Sequence, residues 1–267
     1  MTTGADADGR PVAADPLFDL VGRRIVIVGG ASGIGLGVAQ GLATRGAALE
    51  LWDRNEPALA AAADAVLTAS GARPRTRVVD IAAAAAVETA AAAAEAIGPV
   101  DGLVNCAGIT EPRQPVLDIS QAAWDRMIAV NLTGSWNTCR ALGRAMVARQ
   151  RGSIVNFAST NAIDPSPGIA HYCVSKAGVA MLTQALALEW AAVGVRVNAL
   201  GPGPVLTPMT EPILAGNPAL REQWEARVPM GRFGTPSDLV GAVVFLLTDA
   251  SAWMTGRIMY VDGGWLL

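Results

Sequence analysis

The chain has 267 residues, 52% of them hydrophobic and 16% charged, with a formal charge of -3. That length suffices for one large domain with a sizeable core. The scattered arginines, in runs no longer than Arg23-Arg24, exclude a nucleic-acid surface, and the longest apolar stretch, Leu239 to Leu247, is too short to span a membrane.

The first sixteen residues carry Asp6, Asp8 and Asp15 and lack the apolar segment of a secretory signal. They read as a flexible leader, with one domain from residue 17 to 267, and a cytoplasmic protein is the default. Three cysteines without a CxxC pair argue against disulfides and structural zinc. The single histidine, His171, leaves no multi-histidine centre, so no metal is expected.

A β-branched run, Ile25 to Val28, leads into Gly29-Gly-Ala-Ser32-Gly33-Ile34-Gly35, followed by a helical pattern to about Arg45. Strand, glycine turn and helix are the setting in which such glycines let a backbone approach a diphosphate at a helix N-terminus. A second strand, Ala48 to Trp52, ends at Asp53-Arg54. A carboxylate there suits the adenosine ribose of a dinucleotide and repels a 2′-phosphate. The adjacent Arg54 is able to hold that phosphate, yet the direct carboxylate favours NAD(H) over NADP(H).

Helical tracts are expected over Ala58 to Leu67 and Ala82 to Ile97. Strands are expected over Arg77 to Val79, running into Asp80-Ile81, and over Gly102 to Val104, running into Asn105-Cys106-Ala107-Gly108. A helix around Ser120 to Trp136 holds Asn131 near its middle, a locally unfavourable residue that hints at a kink, although a merely tolerated polar residue reads as well. Further strands are Ser153 to Phe157, Val195 to Leu200 and Met259 to Val261, with helices through Trp190 and over Ser237 to Thr248. The alternation predicts an α/β fold: a Rossmann-type, doubly wound parallel sheet of seven strands with helices on both faces. Residues 205–232, rich in proline and weakly helical over Pro218 to Arg227, interrupt the pattern where such folds place a substrate lid.

Tyr172 and Lys176 stand four apart at the start of a helical run and so share one face. Lys176 is the only lysine beside nineteen arginines. A compact ammonium next to a phenol stabilises the phenolate, so the Tyr172 pKa is expected to fall from about 10 toward neutrality, as a general acid or base requires. By itself the pair reads equally as a packed ring and a surface cation.

Taken together these motifs resemble the short-chain dehydrogenases/reductases from about Leu20 to Gly264. They are Gly29-x-x-x-Gly33-x-Gly35, Asn105-Cys-Ala-Gly108, Asn131, Ser159, Tyr172-x-x-x-Lys176, Pro202-Gly203 with Thr207, and Val261-Asp-Gly-Gly264. The resemblance implies that Tyr172 is the acid/base, that Lys176 lowers its pKa and holds the nicotinamide ribose, and that Ser159 binds the reacting oxygen. Asn131 would anchor a water in a proton relay. Asp80 and Ile81 would lie near the adenine, Asn105, Ala107 and Gly108 along the cofactor, and Pro202, Gly203, Val205 and Thr207 by the carboxamide. Val28 departs from the family's usual Thr, and Cys106 from a common Asn. A homotetramer is implied, with the apolar end Trp265-Leu-Leu267 either buried against another subunit or frayed.

The resemblance is nearest to polyol and secondary-alcohol dehydrogenases, so the expected substrate is a small alcohol or ketone, with no nucleic acid or membrane partner. Glu111, Arg113 and Gln114 read either as a polar mouth for a polyol or as plain surface. Met209, Ile213, Leu214 and Trp224 suit an aliphatic or cyclic ketone. The alternatives are a ketone or 3-oxoacyl reductase using NAD(P)H, and a nucleotide-binding protein without catalysis.

Overall fold

Seven strands lie side by side and parallel in the computed structural model, which describes residues 15–267. The leader expected over residues 1–16 falls almost wholly outside them. The strands are β1 (Arg24–Val28), β2 (Ala48–Asp53), β3 (Arg75–Val78), β4 (Gly102–Asn105), β5 (Gly152–Phe157), β6 (Val195–Pro202) and β7 (Ile258–Val261), in the sheet order β3-β2-β1-β4-β5-β6-β7. Val28, the last residue of β1, pairs with Trp52 on one side and Asn105 on the other. The chain direction across the sheet therefore reverses between β1 and β4, which is where a doubly wound sheet opens a crevice at its carboxyl edge.

The helices are α1 (Gly33–Ala43), α2 (Glu56–Ser70), α3 (Ala84–Ile97), α4 (Gln121–Met127), α5 (Gly134–Ala148), α6 (Ala170–Trp190), α7 (Glu211–Ala215), α8 (Pro218–Arg227) and α9 (Pro236–Leu247). Alternate residues of β1 feed two separate cores. Ile25 and Ile27 pack with Val38 and Leu42 of α1 and Leu239 and Val243 of α9. Val26 and Val28 pack with Val87 of α3, Leu142 and Met146 of α5 and Leu186 of α6. Burial on both faces is why these strands read as unbroken apolar runs and not as alternating ones. A fully enclosed side chain such as Leu42 or Leu142 contributes about 2 kcal/mol of hydrophobic stabilisation.

The helix expected to end near Trp136 runs on to Ala148, and it is interrupted. Between α4 and α5 the residues Ile128–Thr133 form a π-helical turn with Asn131 buried inside it. The disturbance expected at Asn131 takes the form in which helices carry an extra residue, often at functional sites. Helix α7 in the proline-rich segment was not anticipated. Pro212 sits in its first turn, where a missing N–H costs nothing.

Of the apolar C-terminal end, Leu267 is exposed while Trp265 packs inward. Within the same chain, Trp265 is buried, edge-on to Trp224 of α8 with ring centroids 5.9 Å apart. Its indole N–H donates to Asp164 Oδ2 at 3.2 Å, and Arg227 stacks over its ring at 4.1 Å. No helix of the described residues is long and apolar enough to cross a membrane.

Candidate active site

Two cavities meet at the carboxyl edge of the sheet. The larger, about 360 Å³, runs along the β1–α1 loop and the ends of β2 and β4. Gly29 and Gly35 make its floor possible. Gly29 has φ +74°, and a Cβ there would lie 2.6 Å from the Ala107 nitrogen. A Cβ on Gly35 would fall 2.0 Å from the Gly29 carbonyl oxygen. Any larger residue would push the loop and α1 out of the crevice. Ser32 precedes α1 but makes no capping hydrogen bond with its side chain. The first N–H groups of the helix are left to face the cavity, as an anionic ligand requires.

Ser32, Gly33, Ile34, Asp53, Arg54, Asp80, Ile81, Ala107, Gly108 and Thr207 all line this cavity. Asp53 Oδ1 accepts from the Asn55 N–H at 3.0 Å, which fixes the carboxylate at the end of β2. These features fit a dinucleotide: a glycine floor, free helical N–H groups, and an acid at the ribose position. Cys106 lines it as well, and burial pushes its thiol well above the ordinary range, although Lys176 pulls the other way.

Two sequence candidates stand behind the wall. Asn105 is buried and donates to Asn156 Oδ1 at 2.8 Å while accepting from Thr138 Oγ1 at 2.8 Å. It cross-braces β4, β5 and α5, and its side chain does not reach the cofactor cavity. Pro202 is enclosed in β6 and lines neither cavity. A wall residue was legible from the small side chains after β4, but not which way Asn105 points.

The second cavity, about 140 Å³, is lined by Ser159, Tyr172, Gly203, Val205 and, from the proline-rich segment, Met209, Ile213 and Trp224. Ser159 ends the extended segment after β5 and caps the short turn Thr160–Ala162 by accepting from Asn161 N–H at 3.1 Å. Tyr172 occupies the first turn of α6 and lines the cavity with Ser159. Trp265 lines this cavity too. The sequence carried only a weak signal for it, a large aromatic after two glycines. Glu111 and Arg113 border the cavity, while Gln114 does not; its N–H instead donates to the Gly168 carbonyl at 3.0 Å.

Lys176 is buried one turn below Tyr172, and its ammonium donates to the Phe157 carbonyl at 2.7 Å. It lies 3.4 Å from where a Gly108 Cβ would be, directly behind the cofactor cavity, and 5.9 Å from the Tyr172 ring centre. Burial pulls its pKa down to about 8, partly offset by Cys106. The Tyr172 expectation is corrected here. Burial pushes the phenol above its usual value, and the Ser159 hydroxyl pulls it back. The spacing argument counted the neighbouring charge and left out desolvation, the larger effect in the protein alone.

Asn131 is fully buried, and its amide is spent on neighbours. Oδ1 accepts from the Ile109 N–H at 2.8 Å, and Nδ2 donates to the Ile109 carbonyl at 3.1 Å and to Ser175 Oγ at 3.0 Å. It clamps the loop after β4 to α6. Among the described residues, no three His, Cys, Asp or Glu side chains gather as a metal site would require.

A family model described as enoyl-(acyl carrier protein) reductase matches residues 29–266. The galactitol 2-dehydrogenase (L-tagatose-forming) of Cereibacter sphaeroides is 45% identical over 251 residues, covering 93% of this chain and 97% of that protein. The chain belongs to the short-chain dehydrogenase/reductase family. It is an oxidoreductase of the CH–OH group with a nicotinamide cofactor. The 2-(S)-hydroxypropyl-CoM dehydrogenase 3 of Xanthobacter autotrophicus is 40% identical, covering 90% of this chain and 95% of that one. Among solved structures, a protein from Beutenbergia cavernae described as an NAD(P)-dependent gluconate 5-dehydrogenase, with NADP bound at low occupancy, superposes with a TM-score of 0.89. It is 39% identical and covers 94% of this chain and 99% of that one.

Proposed function

We propose that this protein is an NAD(H)-dependent dehydrogenase that interconverts a secondary alcohol of polyol type and its ketone, with Tyr172 as the acid/base. The observation that carries the reading is the junction of the two cavities. Ser159 and Tyr172 form the wall of the smaller one, and the Lys176 ammonium sits behind the floor of the larger. The three relatives support the substrate class, since each name places the reacting hydroxyl on a secondary carbon.

When bound, the nicotinamide carries the hydride and, in its oxidised form, a positive charge. Gly29, Ser32, Gly33, Ile34 and Gly35 would hold the diphosphate, Asp53 and Arg54 the ribose, and Asp80 and Ile81 the adenine side. Ala107, Gly108, Gly203, Val205 and Thr207 would hold the nicotinamide side. The Ser159 hydroxyl holds the substrate oxygen against Tyr172. In oxidation the Tyr172 phenolate oxygen takes the hydroxyl proton; in reduction the phenol returns it to the carbonyl oxygen. Lys176 keeps a positive charge under the site and orients the ribose, and Asn131 positions the loop that separates the two. Residues 205–232, with α7 and α8, act as the lid.

Asp53 supports NAD over NADP, because its carboxylate faces the place where a 2′-phosphate would sit. A second reading, a ketone or 3-oxoacyl reductase, is favoured by the apolar half of the smaller cavity, Met209, Ile213 and Trp224. Both are tested together. Fluorescence titration with NADH and NADPH should give tighter NADH binding, and a panel of polyols, cyclic ketones and 3-oxoacyl thioesters should give its highest kcat/KM with a polyol. Tighter NADPH binding overturns the cofactor assignment, and a 3-oxoacyl preference overturns the substrate class.

The net charge of -3 and scattered arginines support a cytoplasmic protein with no nucleic-acid or membrane partner. A homotetramer is supported by an exposed apolar stripe along α6, Val174, Met181 and Leu188, seven residues apart, beside exposed Trp124 and Trp136 on α4 and α5.

A further inference from the structure

Behind the substrate cavity lies a polar pair that the mechanism does not use. His171 precedes Tyr172 and is completely enclosed, at 0% exposure, yet neither of its ring nitrogens makes a hydrogen bond. Buried polar atoms are nearly always paired, so an orphan of this kind calls for an account. Its Nε2 faces Glu111 Oε2 at 3.8 Å, beyond hydrogen-bond reach.

Glu111 borders the cavity that holds Ser159 and Tyr172, and its side chain is only 11% exposed. Its two oxygens differ. Oε1 accepts from Arg126 Nε at 3.0 Å and from Arg126 Nη2. Oε2 accepts no hydrogen bond from the described residues, and Glu111 lines a cavity where a ligand is able to supply a donor. A carboxylate whose other oxygen is held by an arginine, almost buried and lining a cavity, is a strong acceptor for a ligand O–H.

We propose that Glu111 is a specificity-determining residue whose Oε2 accepts hydrogen bonds from substrate hydroxyls away from the reacting carbon, so that the cavity takes neutral polyols and turns away sugar acids. The inference rests on the secondary-alcohol reading given above. A polyol brings O–H donors to Oε2 on any carbon. A sugar acid brings a second carboxylate into a cavity of about 140 Å³, where two such charges repel at close range. Arg113, the one cation lining that cavity, has its guanidinium over the Trp224 ring at 5.6 Å and donates to the Pro167 carbonyl, both of which hold it at the rim. Asp164 and Arg227, which contact Trp265 of the cavity wall, are paired with each other at 2.6 Å. His171 is a positioning residue: it fills the space behind Oε2 with a polar ring and keeps the carboxylate turned to the cavity.

The test is steady-state kinetics with a hexitol and the aldonate of the same configuration, on the full-length protein with NAD+. The wild type should prefer the hexitol. Glu111→Ala should lower kcat/KM for the hexitol on the order of tenfold, chiefly through KM, and should leave that for the aldonate equal or higher. Glu111→Gln, which keeps one acceptor, should fall between them. His171→Phe should raise the hexitol KM, and His171→Asn should recover part of the loss. Retained NADH binding marks each variant as folded, and the Glu111 variants decide the matter where a His171 variant is not. A wild type that prefers the aldonate, or a Glu111→Ala change that lowers both substrates equally, overturns the proposal while the dehydrogenase reading stands. Turnover of neither substrate, with a ketone or thioester accepted, overturns both.

Discussion

Lys176 shows how far a single residue is readable before the fold is known. Its spacing from Tyr172 and its solitude among nineteen arginines singled it out. Its burial and its bond to the Phe157 carbonyl depend on β5 passing beneath α6, which no local pattern reports. The same omission misdirected the Tyr172 expectation, since the cost of desolvation is a property of the packed site. Lys176 gives a pH prediction whose sign follows from its lowered value. The native ammonium releases its proton near pH 8, and the unfolded one near 10.5. Between them the unfolded state binds more protons, so stability rises with pH, at most about 1.4 kcal/mol per pH unit. Cys106 and Tyr172, both shifted upward, work in the opposite sense at high pH. The comparison is therefore between wild type and Lys176→Met. Urea unfolding at a series of pH values should show the difference moving in favour of the wild type from pH 8 upward, and a flat or falling difference contradicts the buried ammonium.

Among the elements, the strands and the glycine loop were the most legible. Continuous β-branched runs and obligate glycines follow from two-faced burial and from the Gly29–Ala107 approach. The π turn was half legible: an asparagine in mid-helix announced a disturbance, but the extra residue shows only in the backbone bonding. Beyond Trp136 the chain continues as α5, which buries polar Asn137 and Thr138 beside apolar Cys139, Ala141 and Leu142. The brace at Asn131 makes an element-scale prediction. Asn131→Ala leaves the Ile109 N–H and carbonyl without their partners, which should cost about 2 kcal/mol in chemical denaturation and lower turnover together. An unchanged unfolding midpoint would remove the clamp from the account.

At the scale of the whole molecule, one crevice at the carboxyl edge collects residues from β1, β2, β4, β5, β6, α6 and the lid. Sequence order and family likeness gave that gathering. The pairing of Trp265 with Trp224, Asp164 and Arg227 was hidden, because it joins the chain's end to a lid and a loop far away in sequence. The apolar stripe on α6 makes a prediction about assembly. Leu188→Glu should shift the protein to smaller species in light scattering, and an unshifted mass removes this face from the interface. The central claim, proton transfer by Tyr172 at the junction of the two cavities, is tested most directly by Tyr172→Phe. With a responsive alcohol and NAD+, NADH formation should fall at least about a hundredfold while NADH binding is kept. Turnover near the wild-type rate would contradict the mechanism.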